Sequence, residues 1–283
     1  MKRITTFALF IVCTLTTAMA QNDAYTKELC NYFNTGWGNS AGQELGTEAY
    51  TEIFTALLNA KADKVQTPAE INSTAAMLAK KYNDEQATQD IAAIVAPIYK
   101  KHLTIDDLKE FNKLINSDKK LYDAGNKLGS KEIITEMTTA LSQSIMSSMM
   151  KIAQGEKPEL LLTAEEKQDK LYLAVEDYCK SCGISKMITG SFGQALANMA
   201  GNEQQTKIMM DCIEYVTQEI PSFYYKSAKG KVTEEEFKYV TKFYKTPLGQ
   251  KLVAGTVDVM SNPMLLGEEL MTKISEWLDK QEF

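Results

Sequence analysis

Four times in this chain a threonine is followed three residues later by an acid: Thr67 and Glu70, Thr104 and Asp107, Thr163 and Glu166, Thr233 and Glu236. In such a pair the hydroxyl accepts from a free amide of the first helical turn. The carboxylate reaches back to the threonine amide, so the pair marks a helix start. Pro68 adds a residue suited to the first helical position. Apolar residues then recur at helical spacing: Ile105, Leu108, Phe111, Leu114 and Ile115 after Thr104, and Phe237, Val240, Phe243 and Tyr244 after Thr233. Further helices are expected over Glu44 to Lys61, Ser130 to Gln154 and Pro263 to Lys280. Alternating runs bounded by Asn-Gly or Asp-Gly turns are missing from the sequence. The expected fold class is all-α.

Gly155 and Pro158 bracket a polar break, and the flanking halves resemble each other. Thr104 aligns with Thr233, Asp107 with Glu236, Leu108 with Phe237, Lys109 with Lys238, Lys113 with Lys242 and Ser117 with Thr246. After a two-residue gap, Lys120 and Leu121 meet Lys251 and Leu252. Upstream, Pro97 parallels Pro221 more loosely. Two capped amphipathic helices share part of this by chance; the Ser/Thr break followed by Lys-Leu argues for an internal duplication. The expected organisation is two related helical bundles, 21–155 and 156–283, joined by a short linker.

Residues 1–20 read as a secretory signal peptide. Lys2 and Arg3 are followed by an apolar run from Phe7 to Leu15, and Ala18-Met19-Ala20 supplies small residues before Gln21. The run falls well short of the ~20 residues that span a bilayer. Val12 before Cys13 is too large for a lipidation signal. No later apolar run is long enough to cross a membrane. Cleavage after Ala20 would give a chain in the periplasm or outside the cell, without a transmembrane segment.

Composition narrows the chemistry. Without Lys2 and Arg3, 29 cationic side chains face 37 carboxylates, a net charge of −8 that opposes nucleic acid and anionic membranes. Arg3 is the only arginine, so bidentate guanidinium clamps are excluded from the cleaved chain. His102 is the only histidine and stands just before a helix start, which rules out a multi-histidine zinc site and leaves a triad one candidate. Phosphate-loop, calcium-loop and nucleophile-elbow motifs are absent. The carboxylates of Asp106-Asp107 and Glu234 to Glu236 stand in first helical turns, where acids belong for electrostatic reasons. Catalytic residues, metal ligands and cofactors are therefore not expected.

Four cysteines remain after export: Cys30, Cys179, Cys182 and Cys212. Cys179 and Cys182 form a C-x-x-C. A redox motif needs a strand before it and a helix after it, whereas Leu171 to Tyr178 reads as the end of a helix. A structural disulfide or buried free thiols fit better, with the pairing left open.

The stretch from Val232 to Leu252, VTEEEFKYVTKFYKTPLGQKL, resembles the hallmark of the exported bacterial family called domain of unknown function 2059. Thr233, Glu235, Glu236, Phe243, Tyr244, Thr246, Pro247, Gly249, Lys251 and Leu252 carry the resemblance. The first half, Leu103 to Leu121, lacks the aromatic pair, the proline and the glycine. The resemblance implies a helical exported domain and no activity. Folding explains each position as well: Thr233 caps, Phe243 and Tyr244 bury, and Thr246-Pro247 ends one helix and starts the next.

Residues for a binding role are Trp37 in a Gly-Trp-Gly turn, Met146, Met149 and Met150 in the run SIMSSMM, and Phe243 with Tyr244. Methionines line adaptable grooves or hold soft copper, although core packing is the expected role. Three functions follow in order. The first is a non-enzymatic exported protein acting by protein–protein contact. The second is a helical carrier of an apolar small molecule. The third is an enzyme, either a thiol oxidoreductase or an acid/base hydrolase. The expected partner is thus a protein or an apolar ligand.

Overall fold

The computed structural model describes residues 24–35, 42–61, 67–187, 189–190, 203–261 and 263–281. Among them there is no strand, and twelve α-helices carry the fold. They are α1 (Ala24–Phe33), α2 (Gly42–Lys61), α3 (Pro68–Glu85), α4 (Ala87–Tyr99), α5 (Ile105–Ser117), α6 (Lys119–Leu128), α7 (Lys131–Ala153), α8 (Lys170–Cys182), α9 (Glu203–Ala228), α10 (Glu234–Tyr244), α11 (Pro247–Met260) and α12 (Pro263–Leu278). A 3-10 turn, Glu166–Gln168, precedes α8.

Three of the four threonine–acid pairs begin α-helices. Thr67 and Glu70 form a complete capping box on α3, with Pro68 in the first turn. Thr233 and Glu236 do the same on α10. At α5 the Thr104 amide and hydroxyl both donate to Asp107 Oδ2 at 2.8 Å, and the Asp107 amide returns to Thr104 Oγ1 at 3.1 Å. The shorter aspartate therefore closes the same box. The Thr163–Glu166 pair also forms, but it opens only the 3-10 turn. Asp169 then leaves helical geometry and caps α8 itself, accepting from the Leu171 amide at 2.7 Å. The helix expected to be capped by Thr163 is capped by Asp169, six residues later, for that reason.

The helices gather into two compact units. One takes the chain through Ser117 and again from Pro263; the other runs from Asp118 to Asn262. The sequence break at Gly155 lies inside the second unit, between α7 and the 3-10 turn, so the units divide elsewhere than at 155/156. In the first unit α1 packs on α4 and α5, α2 lies along α3, and α12 rests on α4. Tyr82 and Trp277 meet edge-on at 5.2 Å, with Phe54 5.9 Å from Tyr82, in the geometry that aromatic quadrupoles favour. In the second unit α7 packs on α9, α8 contacts both α9 and α10, and α6 and α11 flank α10.

Each unit contains one passage with the same internal bonding, 129 positions apart. The amides of Lys100, His102 and Leu103 donate to Ala96, Tyr99 and Tyr99 at 2.9, 2.9 and 2.8 Å. The amides of Lys229, Lys231 and Val232 donate to Tyr225, Ala228 and Ala228 at 2.9, 2.9 and 3.0 Å. Both turns bury an apolar residue before the cap, Leu103 or Val232, and another four positions into the helix, Leu108 or Phe237. This is the residue pattern of a hydrophobic staple. The ungapped register continues upstream, setting Thr88-Gln89-Asp90-Ile91 against Thr217-Gln218-Glu219-Ile220 and moving Pro97 out of line with Pro221. Downstream, Ser117 Oγ donates to the Leu114 carbonyl and Thr246 Oγ1 to the Phe243 carbonyl. The next cap slips by one residue: Asp118 caps α6, whereas Thr246 itself caps α11.

Candidate functional site

The run SIMSSMM lies near the end of α7, and it faces the opposite way from the expected core packing. Ser148 is the buried residue, while Met146 is 58% and Met150 is 64% exposed and Met149 is half-buried. Polar atoms contribute to the helix contact at this level: the Cys212 thiol of α9 donates to the Ile145 carbonyl at 3.6 Å. Positions 146 and 150 are one turn apart, so their thioethers share the solvent side of the helix.

The connector after α7 is held beside this face. Lys151, next to Met150, reaches Glu159 at 2.6 Å, and the Tyr215 hydroxyl donates to the Glu159 carbonyl. The Lys151 hydrogen bond and charge keep the Glu159 carboxyl below its ordinary value. Deeper in, Glu219 of α9 accepts from the Lys167 ammonium at 2.7 Å and from the Leu161 amide at 3.3 Å. For Lys167, burial works against the charge, and the Glu219 bond and charge outweigh it to leave the ammonium raised overall. Leu160, between these two anchors, is 69% exposed, more than any other large apolar side chain among the described residues. Met146 and Met150 thus stand on the solvent side of α7, and Leu160 on a connector bonded to α9 through Glu159 and Leu161.

Phe243 and Tyr244 do not offer a free face. Phe243 is buried, and Tyr244 is half-buried against Tyr178 with ring centroids 6.0 Å apart. Tyr178 also meets Phe237 and Tyr224 at 5.5 Å each, so the aromatic pair is an edge of the second unit's core. Trp37 lies outside the described residues.

The four cysteines are free thiols. Cys179 and Cys182 occupy the last turn of α8, where carbonyl dipoles disfavour a thiolate; a reactive C-x-x-C uses a helix N-terminus. Burial pushes Cys182 up to about 12 and Cys30 and Cys212 up to about 11, and drives Cys179 well above its ordinary value. His102 stands in the turn between α4 and α5, its amide donating to Tyr99. Among the described residues, no three His, Cys, Asp or Glu side chains are placed to hold a metal ion. No described helix is long and apolar enough to cross a membrane.

Buried Glu219 and its counterpart Asp90, itself buried and accepting from the Tyr82 hydroxyl at 2.9 Å, were not legible as such, nor was the outward methionine turn. The motif Thr-Gln-acid-Ile, repeated at the ungapped register, is the sequence signal that could have found the acids.

Among its described residues this is an all-helical chain with two exposed thioethers on one helix face. Residues 230–276 match the family described as "Uncharacterized protein conserved in bacteria (DUF2059)". The match covers α10, α11 and most of α12. No curated protein matches the chain, and no solved structure does.

The family hallmark has a geometric reading here. Thr246 caps α11 by accepting from the Gly249 amide at 3.1 Å. A Cβ at Gly249 would stand 2.3 Å from the Phe243 carbonyl oxygen and 2.7 Å from Tyr244 Cα. The Phe-Tyr-Thr-Pro-x-Gly sequence is therefore one tight helix-to-helix corner, and only glycine leaves room for it.

Proposed function

We propose that this chain is an exported, non-enzymatic helical protein that acts by protein–protein contact. The contact face comprises Met146, Met150 and Leu160 on the second unit. The single observation that supports this is the inversion of the SIMSSMM turn: a serine is buried and two thioethers face water. Exposed methionines are costly to leave in water, and their flexible side chains adapt to an apolar partner surface. The partner it fits is an apolar helical segment of another exported protein, because a methionine face receives a helix through contacts one turn apart. Export through the 1–20 signal peptide places both in the periplasm or outside the cell.

The repeat belongs to the same reading. The 129-residue recurrence of bonds, caps and the Thr-Gln-acid-Ile motif supports descent from one duplicated helical unit. In that reading the passage in the second unit keeps the family hallmark, while the first has lost its glycine corner.

The test is recovery of the tagged protein from its native host, wild type beside Met146→Glu/Met150→Glu, with thermal melting of both. A stoichiometric partner present only with the wild type, at equal melting temperature, supports the reading. A partner retained by the variant sinks it. A carrier of apolar small molecules predicts instead an extractable lipid and no protein. The aromatic residues that would serve it pack on one another in the core, which favours the contact reading.

A further inference from the structure

Met146, Met149 and Met150 put three thioethers at positions i, i+3 and i+4 of one helix, in the last two turns of α7. Residues so spaced are neighbours on a helix surface, with Cβ atoms about 5–6 Å apart. α7 is unbroken from Lys131 to Ala153, so the helix itself fixes this spacing. Met146 and Met150 are exposed and Met149 is half-buried, so no neighbouring helix closes over the group. A methionine side chain is unbranched and flexible. Three sulfurs mounted on neighbouring positions can therefore close on one point without moving the backbone. Met149, restrained on its packed side, gives up the least freedom in doing so.

The chemistry of a ligand at that point follows from the donors. A thioether is a neutral, soft, polarizable base with no proton to lose. Such sulfur selects copper(I), whereas zinc and the harder divalent ions take thiolate, imidazole or carboxylate ligands. Among the described residues no three His, Cys, Asp or Glu side chains are placed to hold a metal, so a harder ion finds no rival seat there. The local charge suits a monovalent cation. The Lys151 ammonium, beside Met150 in sequence, is paired with Glu159 at 2.6 Å, and the chain as a whole is negative. We propose that Met146, Met149 and Met150 bind one copper(I) ion through their three sulfurs. Binding displaces no proton, so it stays constant between about pH 5 and pH 8, unlike binding by thiols or imidazoles. The site shares residues with the proposed contact face but uses their sulfur rather than their apolarity. The two readings therefore fail separately: leucine at 146 and 150 keeps an apolar face and removes two ligands.

The test is nuclear magnetic resonance of the chain labelled with carbon-13 at the methionine methyls, titrated with silver(I). Silver(I) is a stand-in for copper(I) that air does not oxidise. The readout sees thioethers only, so silver taken up by the four thiols does not obscure it. The Met146, Met149 and Met150 methyls should move together and saturate at one silver ion for the three. The Met77 methyl, 61% exposed on α3, is the control for a lone thioether and should stay in place. Met149→Leu should weaken binding by roughly tenfold or more, the cost of a lost ligand being at least that of a lost supporting bond. It conserves volume, so the melting temperature should hold. Met146→Leu/Met150→Leu should abolish the response while keeping any protein partner captured by the wild type. Zinc should move none of the three methyls. Separate midpoints for the three, an equal response at Met77, a response to zinc, or Met149→Leu binding like wild type would each overturn the proposal.

Discussion

The Glu219 carboxylate is 3% exposed and lies 2.7 Å from the Lys167 ammonium, joining the core helix α9 to the connector before α8. A buried acid with one cation is fragile in a defined way: removing the cation strands the charge. Lys167→Met should destabilise the protein by about 2–3 kcal/mol, below the full cost of a stranded pair because the lysine keeps partial contact with water. Lys167→Met/Glu219→Leu should recover most of that loss. Urea unfolding of the three proteins measures it.

Acid should loosen the helix starts. The Thr67 and Thr163 amides hold Glu70 and Glu166 below the ordinary value of 4.5. At Glu236, burial opposes the shift, and the bonds from Lys127 and Thr233 outweigh it. A carboxyl lowered on folding stabilises above its unfolded value, and that stability is lost as pH falls through the folded one. Melting temperature should therefore hold from neutrality to about pH 5 and fall below 4.5. Glu236→Gln should start lower and fall less steeply, as followed by circular dichroism.

Gly249→Ala tests the corner between α10 and α11. Its Cβ would meet the Phe243 and Tyr244 backbone, which cannot swing aside as a side chain does. A loss of about 1–3 kcal/mol is expected, read by denaturant unfolding. Gly155→Ala is a different case: there a Cβ meets nothing within 4 Å, and the cost comes only from φ of +79°.

Native thiol reactivity should be low. With Cys30 and Cys212 pushed up to about 11, the thiolate fraction near neutral pH is about two orders of magnitude below that of free cysteine. Alkylation followed by mass spectrometry should label Cys179 and Cys182 only after unfolding. Rapid native labelling of either would reopen the redox reading.

Helix starts were the most legible part of the fold because capping is local: hydroxyl, amide and carboxylate lie within four residues. The same locality misled at Thr163, where Asp169 offers a competing cap that a short pattern cannot weigh. Met146 and Met150 were read as core because methionine is usually buried. What turned them outward is tertiary: α7 packs on α9 with Ser148 buried and the Cys212 thiol bonding the Ile145 carbonyl at that level. The division into units near 117 and 262, rather than at 155, likewise depends on which helices pack together.

The most direct measurement is photo-crosslinking in the native host from a benzophenone residue placed at Met146, at Met150 or, as a control, at Glu110. A contact role for the methionine face predicts one discrete protein adduct from both methionine positions and none from Glu110. No adduct from either methionine, or the same adducts from all three positions, would contradict it.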